Sequence, residues 1–319
     1  VKVAAHVDGV LVIDKPEGLT SHDVVAIARR ALAEKRIGHT GTLDPLATGV
    51  LPLACGRATR LVRFLTASDK DYEATIRFGM TTDSFDITGE ETSHSGMAPS
   101  REAVLDAIGQ LRGEYLQTPP AYSAKKVGGR RAYAFARDEA EVVLTPVPVH
   151  VSRAELTAFS GERATVSLTS SPGFYVRTFA HELGRLVGTG ACLEALRRTR
   201  SGEFRLAEAL TVESLQDGVA EVDLIPVERL LLAFPSVVLT DEGVARVTHG
   251  RQLEAEHYSF RLKPEATGAP VASGFTPVAS GFSRKDQEWI RIFDSGGRLT
   301  ALGTAGTTAG SLHPAIVLI

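Results

Sequence analysis

The chain is poor in the residues that build disulfide and metal scaffolds. Cys55 and Cys192 are the only cysteines among 319 residues, too few for a disulfide framework or a cysteine-rich zinc site. No Cys-x-x-Cys or His-Glu-x-x-His spacing occurs, so the common sequence-local metal motifs are missing and no metal is expected. This cysteine usage suits a reducing cytoplasm. Long hydrophobic runs are absent as well. The longest, Leu230 to Leu239, is interrupted by Pro235 and Ser236 and is short for a bilayer span. No signal-peptide pattern precedes the first apolar segment, so a soluble, unexported, cytoplasmic protein without a membrane partner is expected. An excess of one charge is also lacking, since 35 Lys+Arg against 38 Asp+Glu leave a formal net charge of -3. Any nucleic-acid partner must therefore be held by local clusters and not by bulk charge.

One such cluster is present. Residues 125 to 137 carry Lys125, Lys126, Arg130, Arg131 and Arg137 without an acid, which reads either as a solvated loop or as a nucleic-acid contact. The length suffices for two domains, and 43% hydrophobic residues can fill their cores. The most informative segment is Arg36 to Gly49, because it places a lone acid, Asp44, in a loop. Gly38, Gly41 and Gly49 give the backbone freedom on either side. Pro45 pushes Asp44 toward an extended conformation and prevents a helix from starting there. Ordered polar loops often carry catalytic side chains, although Asp-Pro is also common turn punctuation.

Periodicity supplies a coarse outline. Val10 to Ile13 reads as a buried strand, followed by Ser21 as the N-cap of a helix to about Glu34. Val50 to Ala54 and Tyr72 to Phe78 have strand character, and helices are expected at Thr59 to Thr66 and Arg101 to Leu111. Val149 to Leu156 and Arg163 to Thr169 suggest a hairpin before a helix from about Tyr175 to Val187 that carries Arg177 near its first turn. Leu215 to Ala233 reads as a closing helix and exit segment. Strands and helices mix without regular beta-alpha-beta repetition, so an α+β fold with a mixed, largely antiparallel sheet flanked by helices is expected. A boundary after Phe234 would separate residues 1–234 from 235–319. The second part carries equal numbers of basic and acidic side chains and a duplicated heptad, Pro270 to Thr276 and Pro277 to Ser283. Two copies are too few for a solenoid, so the heptad is read as an expansion in a surface loop.

The Asp44 loop, with Gly9 to Pro16 before it and Gly56 to Arg60 after it, resembles the bacterial tRNA pseudouridine-55 synthases of the TruB type. The likeness continues in order through Asp69 to Tyr72, Pro119 to Lys125, Tyr175 to Thr178 and Leu196 to Arg198, covering most of the first 205 residues. The tail from Val237 is similar, more weakly, to a PUA domain, a small RNA-binding β pseudobarrel. The resemblance implies the pseudouridine synthase fold over 1–234, with an RNA-binding insert at about 118–140, and a PUA-like unit at 235–319. It also implies isomerisation of uridine 55 in the T-loop, with the tRNA T-arm as partner and no guide RNA, membrane or cofactor. A monomer is expected.

Site roles follow from the same resemblance. Asp44 is the implied catalytic residue, which breaks the bond from N1 to C1′ so that uracil can rejoin through C5, by covalent attack or by taking a ribose proton. Arg177 would hold its carboxylate, since guanidinium stays charged and binds carboxylate in a fork. Tyr72 would stack on the target uracil, with Tyr175 and Leu196 lining its pocket. Lys15 either touches the substrate region or only marks a strand end. His39 would slip into the stack vacated by the flipped nucleotide. Arg197, Arg198 and Arg200, with the 125–137 cluster of Lys125, Lys126, Arg130, Arg131 and Arg137, would hold phosphates. Two other readings remain open: an RNA chaperone that binds without isomerising, and an N-glycoside hydrolase, for which no partner carboxylate is apparent near Asp44.

Overall fold

A computed structural model describes residues 7–122, 126–127, 130–131, 144–217, 224–260, 289–308 and 310–319, with only the backbone described at 126–127 and 130–131. Lys125, Arg137 and the duplicated heptad at 270–283 lie outside the described residues. The chain divides into two compact units, residues 1–224 and 225–319, a division ten residues earlier than the expected one.

The first unit opens with strand β1 (Gly9–Lys15) and helix α1 (Ser21–Ala31). Thr20, not Ser21, caps this helix. Its hydroxyl accepts from the Asp23 amide while the Asp23 carboxylate accepts from the Thr20 amide, a capping box that satisfies two helix-end donors. Ser21 is buried and its hydroxyl turns instead to the Asp44 loop. Strands β2 (Ile37–His39), β3 (Ala47–Cys55) and β4 (Lys70–Phe78) follow, then helix α2 (Arg101–Gln110) and strand β5 (Gly113–Gln117). The expected hairpin is formed by β6 (Val147–Phe159) and β7 (Arg163–Ser170), ahead of helix α3 (Val176–Leu186), strand β8 (Ala191–Ser201) and the short strand β9 (Leu210–Thr211). The central sheet runs β9-β1-β3-β8-β4-β7-β6-β5. Only the β1/β9 and β3/β8 neighbours are parallel, so the sheet is mixed and largely antiparallel.

Alternation explains the sheet's burial. Along β4, Tyr72, Ala74, Ile76 and Phe78 are buried while the residues between them are more exposed, because successive side chains point to opposite faces. This face packs with Leu11, Ile13, Leu51 and Leu53, and with Val176, Phe179, Ala180 and Leu183 from α3. Leu196 to Arg198 lie on strand β8, whose run of polar side chains hides the period-two pattern. In the expected closing helix and exit segment, a helix spans Val212–Asp217 and Val227–Arg229 form a single 3-10 turn.

In the second unit, strands β10 (Ser236–Leu239), β11 (Tyr258–Phe260), β12 (Ile290–Phe293), β13 (Leu299–Ala305) and β14 (Leu312–Val317) form a sheet in the order β11-β10-β12-β13-β14. Its core gathers Val237, Leu239, Ile292, Ala301 and Leu312 with Val247 from the helix Asp241–Thr248.

Candidate active site

Asp44 sits in the connection from β2 to β3, and Ala47 N donates to its carbonyl at 3.0 Å, closing a tight turn. The Arg177 Nε lies 3.0 Å from Asp44 Oδ2. The Arg177 side chain is only 7% exposed and that of Asp44 42%, so the carboxylate is gripped from inside the protein and open on its other side. Arg177 belongs to the first turn of α3. Its remaining donors go to the Tyr122 carbonyl at 2.7 Å and the Ser84 carbonyl at 3.2 Å.

A second carboxylate completes this arrangement, and the sequence reading missed it. Asp86 Oδ2 lies 3.5 Å from Arg177 Nη1, and its side chain is as buried as that of Arg177. Asp86 Oδ1 accepts from the Thr88 amide at 3.0 Å, the Thr88 hydroxyl at 2.5 Å and the Ser84 hydroxyl at 3.1 Å. A carboxylate so occupied is a fixed anion for Arg177, not the exposed acid of a glycosidase pair. Phe85 holds a left-handed φ of 65° and stacks on His181 at 4.0 Å, which anchors this turn to α3 one turn beyond Arg177. The sequence signal was two acids, Asp83 and Asp86, in a Thr- and Ser-rich turn ending at Gly89, which carries no periodicity.

Several buried donors hold the Asp44 loop. The Lys15 side chain is fully buried, and its ammonium donates to the carbonyls of Pro16 at 2.8 Å, Leu19 at 2.7 Å and Pro45 at 3.4 Å. Burial pushes the Lys15 ammonium down to about 8. Gly18 N also donates to Pro45 O at 2.8 Å. Lys15 is thus a staple beneath the loop. Gly49 has φ of 99°, and a Cβ there would lie 2.2 Å from the Arg198 carbonyl, so no larger residue fits where β3 leaves the loop.

Tyr72 is buried on β4 opposite Arg198 of β8. Burial raises its hydroxyl pKa, opposed by the charge and hydrogen bond of Arg198. Leu196, also on β8, is 8% exposed and belongs to the hydrophobic core. Tyr175 precedes α3, and a fully buried Gln117 clamps its backbone: Tyr175 N donates to Gln117 Oε1 at 2.8 Å and Gln117 Nε2 donates to Tyr175 O at 3.1 Å. His39 ends β2 and meets the His22 ring edge-on at 5.3 Å between centroids.

The expected phosphate contacts divide. Arg198 is 1% exposed and donates to Val50 O at 2.7 Å, Gly41 O at 3.1 Å and Thr42 O at 3.3 Å. It cannot reach a phosphate, and that expectation is corrected. Arg197 forks onto Asp14 at 3.1 and 2.8 Å and remains 40% exposed. Arg200 forks onto Asp71 at 2.7 and 2.8 Å. The backbones of Lys126 and Arg131 pair in an antiparallel register, as do those of Val127 and Arg130. Among the described residues, no group of three or more His, Cys, Asp or Glu is arranged to hold a metal, and no helix is long and apolar enough to cross a membrane.

The mixed, largely antiparallel sheet flanked by helices is a pseudouridine synthase fold. A solved H/ACA ribonucleoprotein, bound to a substrate RNA containing 2′-deoxyuridine, has a chain similar to this one with a TM-score of 0.69 and 25% identity. That match covers 98% of this chain and 85% of the other. Residues 29–176 match the TruB family pseudouridylate synthase N-terminal domain and residues 177–234 the tRNA pseudouridylate synthase B C-terminal domain. The curated tRNA pseudouridine synthase B of Solibacter usitatus is 48% identical over 81% of this chain and 89% of its own length. That of an Azoarcus species is 42% identical over 97% and 94%. The chain belongs to the TruB family of pseudouridylate synthases.

Proposed function

We propose that this protein isomerises uridine 55 in the T-loop of tRNA to pseudouridine, with Asp44 as the catalytic carboxylate. The observation that carries the reading is the Asp44–Arg177 contact, in which a buried cation holds a half-exposed carboxylate inside a TruB-family fold. The reaction breaks the bond from N1 to C1′, turns the freed uracil and joins C5 to C1′. The C5 proton leaves and N1 gains one, so the product is an isomer and no electrons are exchanged with an outside reagent. Asp44 serves by covalent attack on the base or sugar or by accepting a ribose proton, and both routes need it oriented toward the reacting nucleoside. Arg177, itself fixed by Asp86 and two carbonyls, supplies that orientation.

Tyr72 stacks on the flipped base, and Tyr175 and Leu196 bound the pocket. His39 fills the gap left in the T-loop, offsetting an unstacking cost of a few kcal/mol. The segment at 118–140 and its cluster Lys125, Lys126, Arg130 and Arg131 grip phosphates, and Arg197 adds to them from its exposed portion. The second unit is a PUA-like accessory RNA-binding domain. The protein acts as a monomer on the T-arm, without a guide RNA.

Incubation with an unmodified T-arm hairpin and no added cofactor tests this reading. The expected result is pseudouridine from the natural protein and none from Asp44→Asn, with hairpin binding retained. Free uracil would mean hydrolysis, and binding without product would mean a chaperone. Undiminished turnover by Asp44→Asn would remove Asp44 from its role.

A further inference from the structure

Resting on the isomerase reading, we infer that Arg198 is a positioning residue of the site, whose guanidinium fixes the loop presenting Asp44 while its strand pairing sets Tyr72 beside it. Burying an arginine is costly unless its charge is compensated. Arg198 is 1% exposed, and among the described residues no carboxylate lies within ion-pair distance of it. Its compensation comes from carbonyl dipoles, and those dipoles are informative. Gly41 O and Thr42 O lie just before Asp44, and Val50 O lies just after the loop. One planar cation therefore ties the two ends of the loop together.

The strand register places it there. In β8, Arg198 pairs with Gly49 of β3 on one side and Tyr72 of β4 on the other. The backbone contact at Gly49, where no Cβ fits, brings the base of the arginine against the loop exit. The guanidinium charge also acts on the neighbouring Tyr72, opposing the rise that burial gives its hydroxyl pKa. The Asp44 loop, held by the fork, and the Tyr72 ring, its register partner, thus meet at one residue, which sets the spacing between them. The Lys70 ammonium, bound to the Thr66 and Ser68 carbonyls nearby, adds a like charge. The region thus keeps a second cation close to Arg198, where an apolar side chain could have filled the core.

Arg198→Lys keeps the charge and loses the fork. Single-turnover conversion of the T-arm hairpin should slow by about 10- to 100-fold, with the hairpin Kd within about twofold, as expected for misplaced reacting groups. Combined with Tyr72→Phe, the double variant should be no slower than the slower single variant, because both act through the same Arg198–Tyr72 neighbourhood. Losses that multiply, an unchanged rate, or a loss confined to Kd would each overturn the assignment. Should Arg198→Lys fail to fold, Tyr72→Phe leaves the arginine in place. One 15N-arginine guanidinium resonance should then shift, and an unmoved spectrum would overturn the proposal. Conversion by the natural protein is the control, since its absence would defeat the isomerase reading before any variant is compared.

Discussion

The Ser21 hydroxyl donates to the Leu43 carbonyl at 2.9 Å and accepts from the Leu43 amide at 2.8 Å, so the start of α1 is fastened to the residue before Asp44. Both contacts are buried, and they satisfy backbone groups of a loop that no strand pairs. Ser21→Ala strands the pair and should cost about 1–3 kcal/mol. The thermal midpoint should fall and hairpin conversion should slow while hairpin affinity holds. Melting curves with single-turnover assays check this, and an unshifted midpoint would mean that the loop has other support.

The Arg177 cation sits between two carboxylates of unequal exposure, Asp44 and Asp86. Asp86→Asn preserves shape and removes the buried anion. Breaking a buried ion pair by removing one partner costs about 3–5 kcal/mol, because the remaining charge is left uncompensated. A lower urea midpoint and reduced conversion with retained RNA binding are expected. A midpoint equal to that of the natural protein would show that Asp44 and the carbonyls suffice for Arg177.

Stability should respond to pH through Lys15, whose ammonium burial brings down from its ordinary 10.5 to about 8. Between those values the unfolded chain binds more protons than the folded one, so stability rises with pH across that window. Lys15→Met removes this contribution and should flatten the rise from about pH 8 to 10.5. Lys70, shifted by burial in the same direction to about 8, leaves a residual slope. Melting midpoints of both proteins across that range decide the matter, and parallel curves would count against Lys15.

What could be read from the sequence followed period and punctuation. The alternation of Tyr72, Ala74, Ile76 and Phe78 gave β4, and the Gly- and Pro-bounded loop gave Asp44. Three things were hidden for physical reasons. Strand β8 carries Arg197, Arg198 and Arg200, each engaged inside the protein, so its polar run looked like surface. Asp86 meets Arg177 across ninety residues of chain, and no local pattern encodes such a contact. The cap of α1 fell one residue early because Ser21, a good capping residue by type, was needed by Leu43, and Thr20 took its place.

The internal engagement of the β8 arginines shifts the burden of gripping RNA. Arg198 is buried, Arg200 is forked onto Asp71, and Arg197 has Asp14 as its partner, so none is a free cation waiting for a phosphate. The basic cluster at 125–137 has no acid within it and must supply more of the backbone contact. Replacing Arg130 and Arg131 with Gln should weaken T-arm binding. It should also reduce the slope of log K against log salt by up to about 0.7–0.9 per lost phosphate contact, through counterion release. Arg197→Gln should change that slope less, since its charge is already offset by Asp14. Equal salt slopes for the natural protein and the Arg130/Arg131 variant would show that the cluster does not touch phosphate, and RNA affinity would then have to come from another face.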